Sequence, residues 1–243
     1  MMTMNGKQVT VTKYKDGAFR VEEDLVAEEM TVKIFTNGQP YGTLTGSPWD
    51  LGELVVGYLY LRGEFHARED VRNMEVREDC VYVDYQASSP DQPDIRQEAP
   101  LMLEASDIIK LAAQLDQRSG CFHRTGGVHN AAVSDGKTII TNTEDVSRHN
   151  ALDRLAGRCL LQGIDLSNKV IVFSGRVPEE IITGVARLRC TAIISVSAPT
   201  SRTIEIAEQN HVMLICFARG NRFNVYTSSE VISSPIYNIV KFT

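Results

Sequence analysis

The chain has 243 residues and a net charge of −6, and 43% of its residues are hydrophobic while 23% are charged. These values are typical of a globular protein with one large or two small domains, and they disfavour a general binder of nucleic acids or anionic membranes. Residues 1–16 contain no apolar run typical of a signal peptide, and no later segment is long and apolar enough to span a bilayer. We therefore expect a cytoplasmic protein.

The first 100 residues predict a small, β-rich α+β domain. Asn37-Gly38 predicts a tight turn between two strands, Ser47-Pro48 predicts the start of a helix, and Gly63 predicts its end. The expected strands are Gln8–Lys13, Met30–Phe35, residues 41–45, Val71–Val76 and Cys80–Tyr85. Residues 86–100 contain three prolines and little apolar content, which predicts a linker. We place the domain boundary there and predict domains 1–100 and 101–243.

The second domain has the pattern of an α/β fold. A helix is expected from Ser106, a strand pair around Asp135-Gly136, and a second helix that ends at Gly163. Three apolar strands then alternate with helices or turns, namely Val170–Phe173, Ala192–Val196 and Val212–Phe217. Such alternation predicts a largely parallel sheet that is covered by helices on both faces.

The loops that leave these three strands predict a binding site for a phosphate-bearing ligand. In open α/β sheets, ligands bind at the carboxyl ends of the strands, where helix N-termini present amide groups to anions. Arg176, Arg202, Arg219 and Arg222 lie in or near these loops. Any one of them is explained as a solvated surface residue, whereas several at one edge favour a ligand.

Cys121 is the one cysteine for which the sequence predicts reactivity. The chain has five cysteines, at positions 80, 121, 159, 190 and 216, without the spacing of a metal site or a disulfide framework. Cys121 lies in a glycine-rich stretch with His123 and Arg124 just beyond it. A cationic neighbourhood lowers the pKa of a thiol. We therefore predict a reactive thiol on a glycine-hinged loop, with an inert turn as the alternative.

The stretch Glu144–Asn150 and His129 are further candidates. Two acids at a helix N-terminus complement the helix dipole, whereas Arg148, His149 and Asn150 cannot all face the core on one turn. One or two of these three are therefore expected to face a ligand or partner. His129 is either a buried, hydrogen-bonded histidine or a ligand of zinc.

The motifs of several common enzymes are missing. Zinc-dependent deamination is disfavoured, because the position two after His129 is Ala131, not glutamate, and no P-C-x-x-C follows. The chain also lacks the serine-hydrolase elbow and the glycine-rich motifs that bind nucleotide phosphates in P-loop and Rossmann folds. After these exclusions, the function that the sequence favours is thiol chemistry beside a binding site for a phosphate-bearing ligand.

The chain resembles the formate dehydrogenase accessory sulfurtransferases, the FdhD family, from about Ala27 to Glu230. The resemblance rests on five motifs in the same order: Thr125–Ala131, Glu144–Asp153, Ser174–Arg176, Ser197–Thr200, and Phe217–Arg222 with Val225-Tyr226. Its implied fold is a cytidine-deaminase-like, three-layer α/β/α main domain without the zinc site, together with a smaller N-terminal domain. It also implies a homodimer.

The resemblance implies that Cys121 accepts sulfur from a cysteine desulfurase as a persulfide. The sulfur is then passed to the molybdenum bis(molybdopterin guanine dinucleotide) cofactor of formate dehydrogenase, which is a substrate and not a permanently bound group. The implied cofactor-binding residues are Phe217, Ala218, Arg219, Gly220, Asn221 and Arg222. Supporting roles are expected for Arg124, His129, Arg148, His149, Arg176 and Thr200. No metal site, nucleic-acid partner or membrane span is expected.

The chain departs from the family pattern at two positions. Arg124 stands where many members have a second cysteine, and Ser147 stands where they usually have glycine. A mechanism that needs a vicinal thiol pair is therefore excluded, while Arg124 is expected to stabilise a Cys121 thiolate or persulfide. Two alternatives stay open: a non-catalytic chaperone that binds the cofactor, and a metal-dependent hydrolase that uses His123, His129 and His149.

Overall fold

The structure is a computed structural model that describes residues 6–87, 101–228 and 232–233. Six α-helices and fourteen strands are defined within these residues. In chain order they are β1 Lys7–Lys15, β2 Ala18–Val26, β3 Met30–Thr36, β4 Gln39–Gly46, α1 Leu51–Arg62, β5 Val71–Arg77, β6 Cys80–Tyr85, β7 Leu103–Glu104, α2 Ala105–Gln117, α3 Gly120–Thr125, β8 His129–Ser134, β9 Ile139–Asp145, α4 Arg148–Gln162, β10 Val170–Phe173, α5 Glu179–Arg187, β11 Ala192–Ser195, α6 Ser201–Gln209, β12 Met213–Arg219, β13 Arg222–Val225 and β14 Ile232–Ser233.

The chain forms two compact units, and each consists of segments that are not contiguous in sequence. Unit 1 comprises residues 1–94, 117–131 and 142–165, and unit 2 comprises residues 95–116, 132–141 and 166–243. The two compact units therefore consist of other residues than the two sides of a single division after residue 100. That predicted boundary falls outside the described residues and stays a prediction, as does the cytidine-deaminase-like three-layer arrangement. The observed fold class is mixed α/β.

Unit 1 contains a four-stranded sheet in the order β4-β3-β6-β5 and a separate hairpin of β1 and β2. The predicted turn at Asn37-Gly38 is confirmed: both residues have positive φ, and Thr36 pairs with Gln39 across it. Alternate residues of β3 and β6 are fully buried and pack against one face of α1. This core consists of Val32, Ile34, Leu51, Val55, Val56, Leu59, Phe65, Val81 and Val83.

Two glycines allow α1 and α4 to cross at backbone contact. A Cβ placed on Gly57 would lie 1.7 Å from the carbonyl oxygen of Asp153, and a Cβ on Gly157 would lie 1.8 Å from that of Glu53. Neither helix tolerates a side chain at this point without moving apart. The crossing explains why α4, which follows residue 100, belongs to unit 1.

The predicted start of α1 at Ser47-Pro48 is wrong. The helix begins at Leu51, and its N-cap is Asp50, which has φ 46° and makes no side-chain capping bond. Ser47 is instead completely buried, and its hydroxyl accepts a hydrogen bond from the amide of Val146. The predicted end at Gly63 is confirmed, since this residue has φ 80° and donates to Leu59 and Tyr60.

Unit 2 is organised around the central strands of a six-stranded sheet in the order β13-β12-β11-β10-β8-β9. Its strands β10, β11 and β12 pair in parallel, as predicted, and β13 pairs antiparallel with β12. Along β10, Val170 and Val172 pack in a core with residues of α2, while Ile171 and Phe173 on the opposite face are equally buried. The central strands are thus covered on both faces, which matches the expectation for parallel strands.

Candidate functional site

The stretch predicted as a glycine-hinged loop around Cys121 is a short helix, α3. The amide of His123 donates to the carbonyl oxygen of Ser119 at 2.9 Å, and the amide of Gly126 donates to that of Phe122 at 2.7 Å. Gly126 ends the helix with φ 66°, a conformation that favours glycine. The loop prediction is therefore wrong for Gly120–Thr125, and the glycine requirement is confirmed at Gly126.

The Cys121 side chain is buried, and the whole residue is only 1% exposed. Its Sγ lies 3.8 Å from the hydroxyl oxygen of Thr125, and that hydroxyl donates to the carbonyl oxygen of Cys121 at 2.8 Å. The same hydroxyl oxygen accepts a hydrogen bond from the amide of Gly127 at 3.1 Å. Thr125 thus links the thiol to the end of α3.

The environment raises the pKa of the Cys121 thiol. Burial is the largest cause, and the negative charge of Glu144 acts in the same direction. The Thr125 contact and the positive charge of Arg124 lower the pKa but do not compensate. The expectation that cationic neighbours dominate is therefore wrong. Arg124 directs its Nε to the carbonyl oxygen of Gly120 at 3.1 Å.

Glu144 contacts α3 directly, which the sequence did not predict. Its Oε2 accepts the amide of Cys121 and its Oε1 accepts the amide of Phe122, both at 3.0 Å. These amides are among those that a helix leaves without internal partners at its N-terminus. Glu144 thus caps α3, whereas the sequence placed it at the start of the helix that follows it. No local signal connects residues that lie more than twenty positions apart.

Asp145 is the centre of a buried network. Its Oδ2 accepts Nη2 of Arg154 at 2.6 Å and the amide of Ser47 at 3.1 Å, and its Oδ1 accepts the amide of Ser147 at 3.0 Å and Nδ2 of Asn150 at 3.2 Å. Arg154 also donates to the carbonyl oxygens of Ser47 and Trp49. Asp145 and Arg154 are both 0% exposed. Asn150 therefore serves the structure, not a ligand.

His129, Arg148 and His149 are brought together in unit 1. Burial lowers the pKa of His129, and the positive charges of Arg148 and His149 lower it further, while Asp145 opposes them. The Nε atom of Arg148 is buried and has no hydrogen-bond partner among the described residues. Arg148 supplies the permanent positive charge of this cluster, which suits an anionic group better than a metal ion, whereas the lowered pKa favours the neutral form of His129.

The other cysteines and the potential metal ligands do not form a second site. None of the five cysteines, all of which lie in described segments, forms a disulfide. Burial raises the pKa of Cys159 and of Cys216 to about 12, as expected for residues of the core. Across residues 6–87, 101–228 and 232–233, no group of three or more His, Cys, Asp or Glu side chains is arranged to hold a metal ion.

Unit 2 contains the predicted ligand-binding loops, which are joined by hydrogen bonds. The amide of Val177 donates to the carbonyl oxygen of Ala198 at 3.0 Å, and the amide of Phe217 donates to that of Ser197 at 3.0 Å. Nε of Arg219 donates to the carbonyl oxygen of Val196 at 2.5 Å. The three loops therefore meet at one edge, as expected for parallel strands.

The individual side chains at this edge have different roles. Thr200 caps α6, since its hydroxyl accepts the amide of Thr203 at 3.2 Å. Arg202 forms ion pairs with Glu179 and Glu205. Of the other predicted residues at this edge, Ala218 is buried, and the exposed ones are Arg176, Phe217, Arg219, Gly220, Asn221 and Arg222.

Phe217 has an unusual backbone conformation. Its φ is 56°, which is costly for a bulky residue, and it lies where the pairing of β12 with β13 shifts between Cys216 and Arg219. The residue is 37% exposed. Strained residues of this kind often mark functional sites, and Phe217 lies two positions before the exposed Arg219 in β12.

The comparisons with known proteins agree on one family. The FdhD/NarQ family matches residues 27–101 and 84–233. A sulfur carrier protein FdhD of Bacillus licheniformis is 33% identical over 257 residues, covering 93% of this chain and 98% of that protein. The sulfur carrier protein FdhD of Bacillus subtilis is 33% identical over 258 residues, with the same coverage.

A solved structure has the same fold. The crystal structure of a candidate formate dehydrogenase accessory protein from Desulfotalea psychrophila matches with a TM-score of 0.83 and 23% identity, covering 94% of this chain and 99% of that one. None of the helices within the described residues is long and apolar enough to cross a membrane. On the family match and the identity to its curated members, the chain belongs to the FdhD/NarQ family.

Proposed function

We propose that this chain is a sulfur carrier in which Cys121 accepts sulfur from a cysteine desulfurase. The sulfur is then delivered to the molybdenum bis(molybdopterin guanine dinucleotide) cofactor that formate dehydrogenase requires. The observation that carries this proposal is the placement of Cys121 on a short helix that a carboxylate from another element caps. Cys159 and Cys216, in contrast, lie within a long helix and a central strand. The names of the relatives support the same function.

The first step of this function is a thiol exchange. The Cys121 thiolate attacks the outer sulfur of the persulfide on the desulfurase, and a new S–S bond forms while the old one breaks. The desulfurase cysteine leaves as a thiolate, and Cys121 becomes a persulfide. No net oxidation occurs, because the outer sulfur moves between two cysteines of the same oxidation state.

The second step returns Cys121 to a thiolate. The S–S bond of its persulfide breaks as the outer sulfur bonds to the acceptor, and the electron pair of the broken bond stays on Sγ of Cys121. The acceptor must supply two electrons to convert the outer sulfur into a bound sulfide. If its molybdenum is bound in a reduced state, the cofactor would supply them as a substrate and would itself be oxidised by two electrons.

The segment from Phe217 to Arg222 is the proposed binding site for the nucleotide part of the cofactor. Guanidinium groups such as those of Arg219 and Arg222 pair with phosphates through charge-assisted hydrogen bonds. The exposed ring of Phe217 offers a face for a purine base. Arg176 extends the same positive edge. His129, Arg148 and His149 of unit 1 stay proposed as supporting residues. We also propose that the protein is a cytoplasmic homodimer.

Persulfide formation tests the proposal directly. The protein is incubated with a cysteine desulfurase and cysteine, and the cysteine-containing peptides are analysed by mass spectrometry. We expect a mass gain of one sulfur atom on the Cys121 peptide. Cys80→Ser is the matched control and should keep the label, because Cys80 lies on a strand of the small sheet. Labelling of a Cys121→Ser variant, or no label on any peptide, contradicts the proposal.

A second function is favoured by the burial of the thiol. A residue that is 1% exposed and has a raised pKa is also what a non-catalytic, cofactor-binding chaperone would have. Formate dehydrogenase activity in cells that carry only the Cys121→Ala protein separates the two. The sulfur carrier predicts loss of activity, whereas the chaperone predicts full activity that Arg219→Ala and Arg222→Ala abolish.

A further inference from the structure

The proposed function requires a movement, because Cys121 is covered. A thiol exchange brings a second sulfur to about 2 Å from Sγ, the length of a disulfide bond. Cys121 is only 1% exposed and its Sγ lies against Thr125, so no sulfur of another protein reaches it in this conformation. Some part of the surrounding structure must open before the reaction.

The helix that carries the thiol, α3, is the element suited to open. It has six residues, and helices of this length are not stable without contacts outside themselves. Gly120 at its start has open space where a Cβ would lie, and Gly126 at its end adopts a left-handed conformation. Both ends can therefore change their backbone angles at low steric cost.

The start of α3 is held from outside by the Glu144 carboxylate, and Nδ2 of Asn130 also donates to the hydroxyl of the N-cap residue Ser119 at 2.9 Å. The two oxygens of the carboxylate accept the amides of Cys121 and Phe122 at 3.0 Å each. The backbone of Glu144 is held in turn, since Nε1 of Trp49 donates to its carbonyl oxygen at 3.2 Å. The next residue, Asp145, is fixed in the buried network with Arg154. The backbone of Glu144 is thus fixed, so that release of the two amides requires a movement of its side chain alone.

We propose that the Glu144 carboxylate is a latch, which holds α3 folded over the Cys121 thiol and uncovers the sulfur when it releases the two amides. Glu144 is in this role a positioning residue and not a catalytic one. The functional meaning of the latch rests on the proposed sulfur-carrier function, while the opening itself is a property of the free protein.

Release of the latch also activates the thiol. The negative charge of Glu144 raises the pKa of Cys121, and Arg124 lowers it. When the carboxylate moves away and water reaches the sulfur, the two causes that raise the pKa weaken together, while Arg124, three residues along the chain from Cys121, still carries the charge that lowers it. The buried state is thus protonated and protected from oxidation, and the open state is the nucleophile.

The test measures how fast each cysteine of the protein reacts with a maleimide, by mass spectrometry of the labelled peptides. We expect Cys121 to react about tenfold faster in Glu144→Ala, because loss of an N-terminal cap raises the population of the opened helix by about that factor. Glu144→Gln retains one carbonyl acceptor, so its Cys121 rate should lie between those of the wild-type protein and Glu144→Ala. Glu180→Gln, an exposed glutamate of α5, is the matched control and should leave the rate unchanged.

Two other buried cysteines of the protein show whether an increase in the Cys121 rate comes from local opening of α3. Cys159 and Cys216 should stay unreactive in all variants, since they lie in α4 and β12. An unchanged Cys121 rate in Glu144→Ala overturns the latch. So does a rate that rises only together with those of Cys159 and Cys216, because Glu144 would then stabilise the protein as a whole and not α3 in particular. The maleimide test uses no desulfurase. Failure of the persulfide experiment would therefore contradict the sulfur-carrier function without contradicting the latch, and the reverse also holds.

Discussion

The thiol region of unit 1 and the strand-end loops of unit 2 differ in how open they are. In unit 1 the Cys121 thiol is covered, and the Asp145–Arg154 pair beside the latch is fully buried. In unit 2 the exposed residues Phe217, Arg219 and Arg222 lie where β12 ends and β13 begins, a region held mainly by backbone hydrogen bonds. Burial protects a thiol from oxidation, whereas an exposed arginine edge attracts anions by its charge. The comparison predicts that substitutions in unit 1 affect stability and access, and that those in unit 2 affect binding.

The largest effect is expected from breaking the buried ion pair of unit 1. Asp145→Asn removes the charge that compensates Arg154, both of which are 0% exposed, so the free energy of unfolding should fall by about 3–5 kcal/mol. Urea denaturation measures this change. The matched control is Asp79→Asn, which breaks the exposed pair with Lys33 and should have little effect. Equal losses in both variants would show that burial does not distinguish the two pairs.

A pH-dependent effect is expected at Asp153, also in unit 1. Burial raises the pKa of this carboxyl to about 7, and Arg62, 3.8 Å away, lowers it only in part. Because the folded pKa lies above the unfolded one, the stabilisation by the neutral acid is present below about pH 4 and is lost as the pH rises to about 7.

Asp153→Asn should therefore increase the free energy of unfolding by about 2–4 kcal/mol at pH 8 and change it little at pH 4. Denaturation curves at the two pH values measure the difference. The same gain at both pH values would contradict a raised pKa, because it would be independent of ionisation.

A smaller effect is expected from the arginines of unit 2. Arg222→Ala should weaken the binding of guanosine diphosphate, used as a probe, by about tenfold, through loss of a charged hydrogen bond to phosphate. Arg202→Ala is the matched control, because Arg202 is already engaged by Glu179 and Glu205. Isothermal titration calorimetry measures both. The proposed nucleotide site at Phe217–Arg222 is wrong if the two variants weaken guanosine diphosphate binding equally, or if Arg222→Ala does not change it.

The smallest effect is expected at Arg124. Its charge lowers the pKa of Cys121, so Arg124→Ala should raise that pKa further and slow alkylation of Cys121 near neutral pH. The pH dependence of the alkylation rate measures the change. Arg118→Ala serves as the control, because Arg118 is not among the charges that act on the thiol. A rate profile that does not move would assign Arg124 to the Gly120 hydrogen bond alone.

Local patterns in the sequence predicted most of the secondary structure. The Asn37-Gly38 turn, the end of α1 at Gly63 and the three parallel strands β10, β11 and β12 are confirmed. These features depend on turn chemistry and on the spacing of apolar residues within a few positions. Three local predictions were wrong. The sequence analysis placed the start of α1 at Ser47, and it left out strand β2 and helix α3.

The sequence by itself thus determined the family and the mixed α/β class, and it predicted Cys121 as the reactive one of five cysteines. Only the tertiary structure decided that the thiol is covered, that its pKa is raised, and that Glu144 caps the helix that bears it. The physical reason is the range of the interactions. A turn or a helix end depends on neighbours in the chain, whereas burial and charge at a site depend on groups that the fold brings together from distant positions.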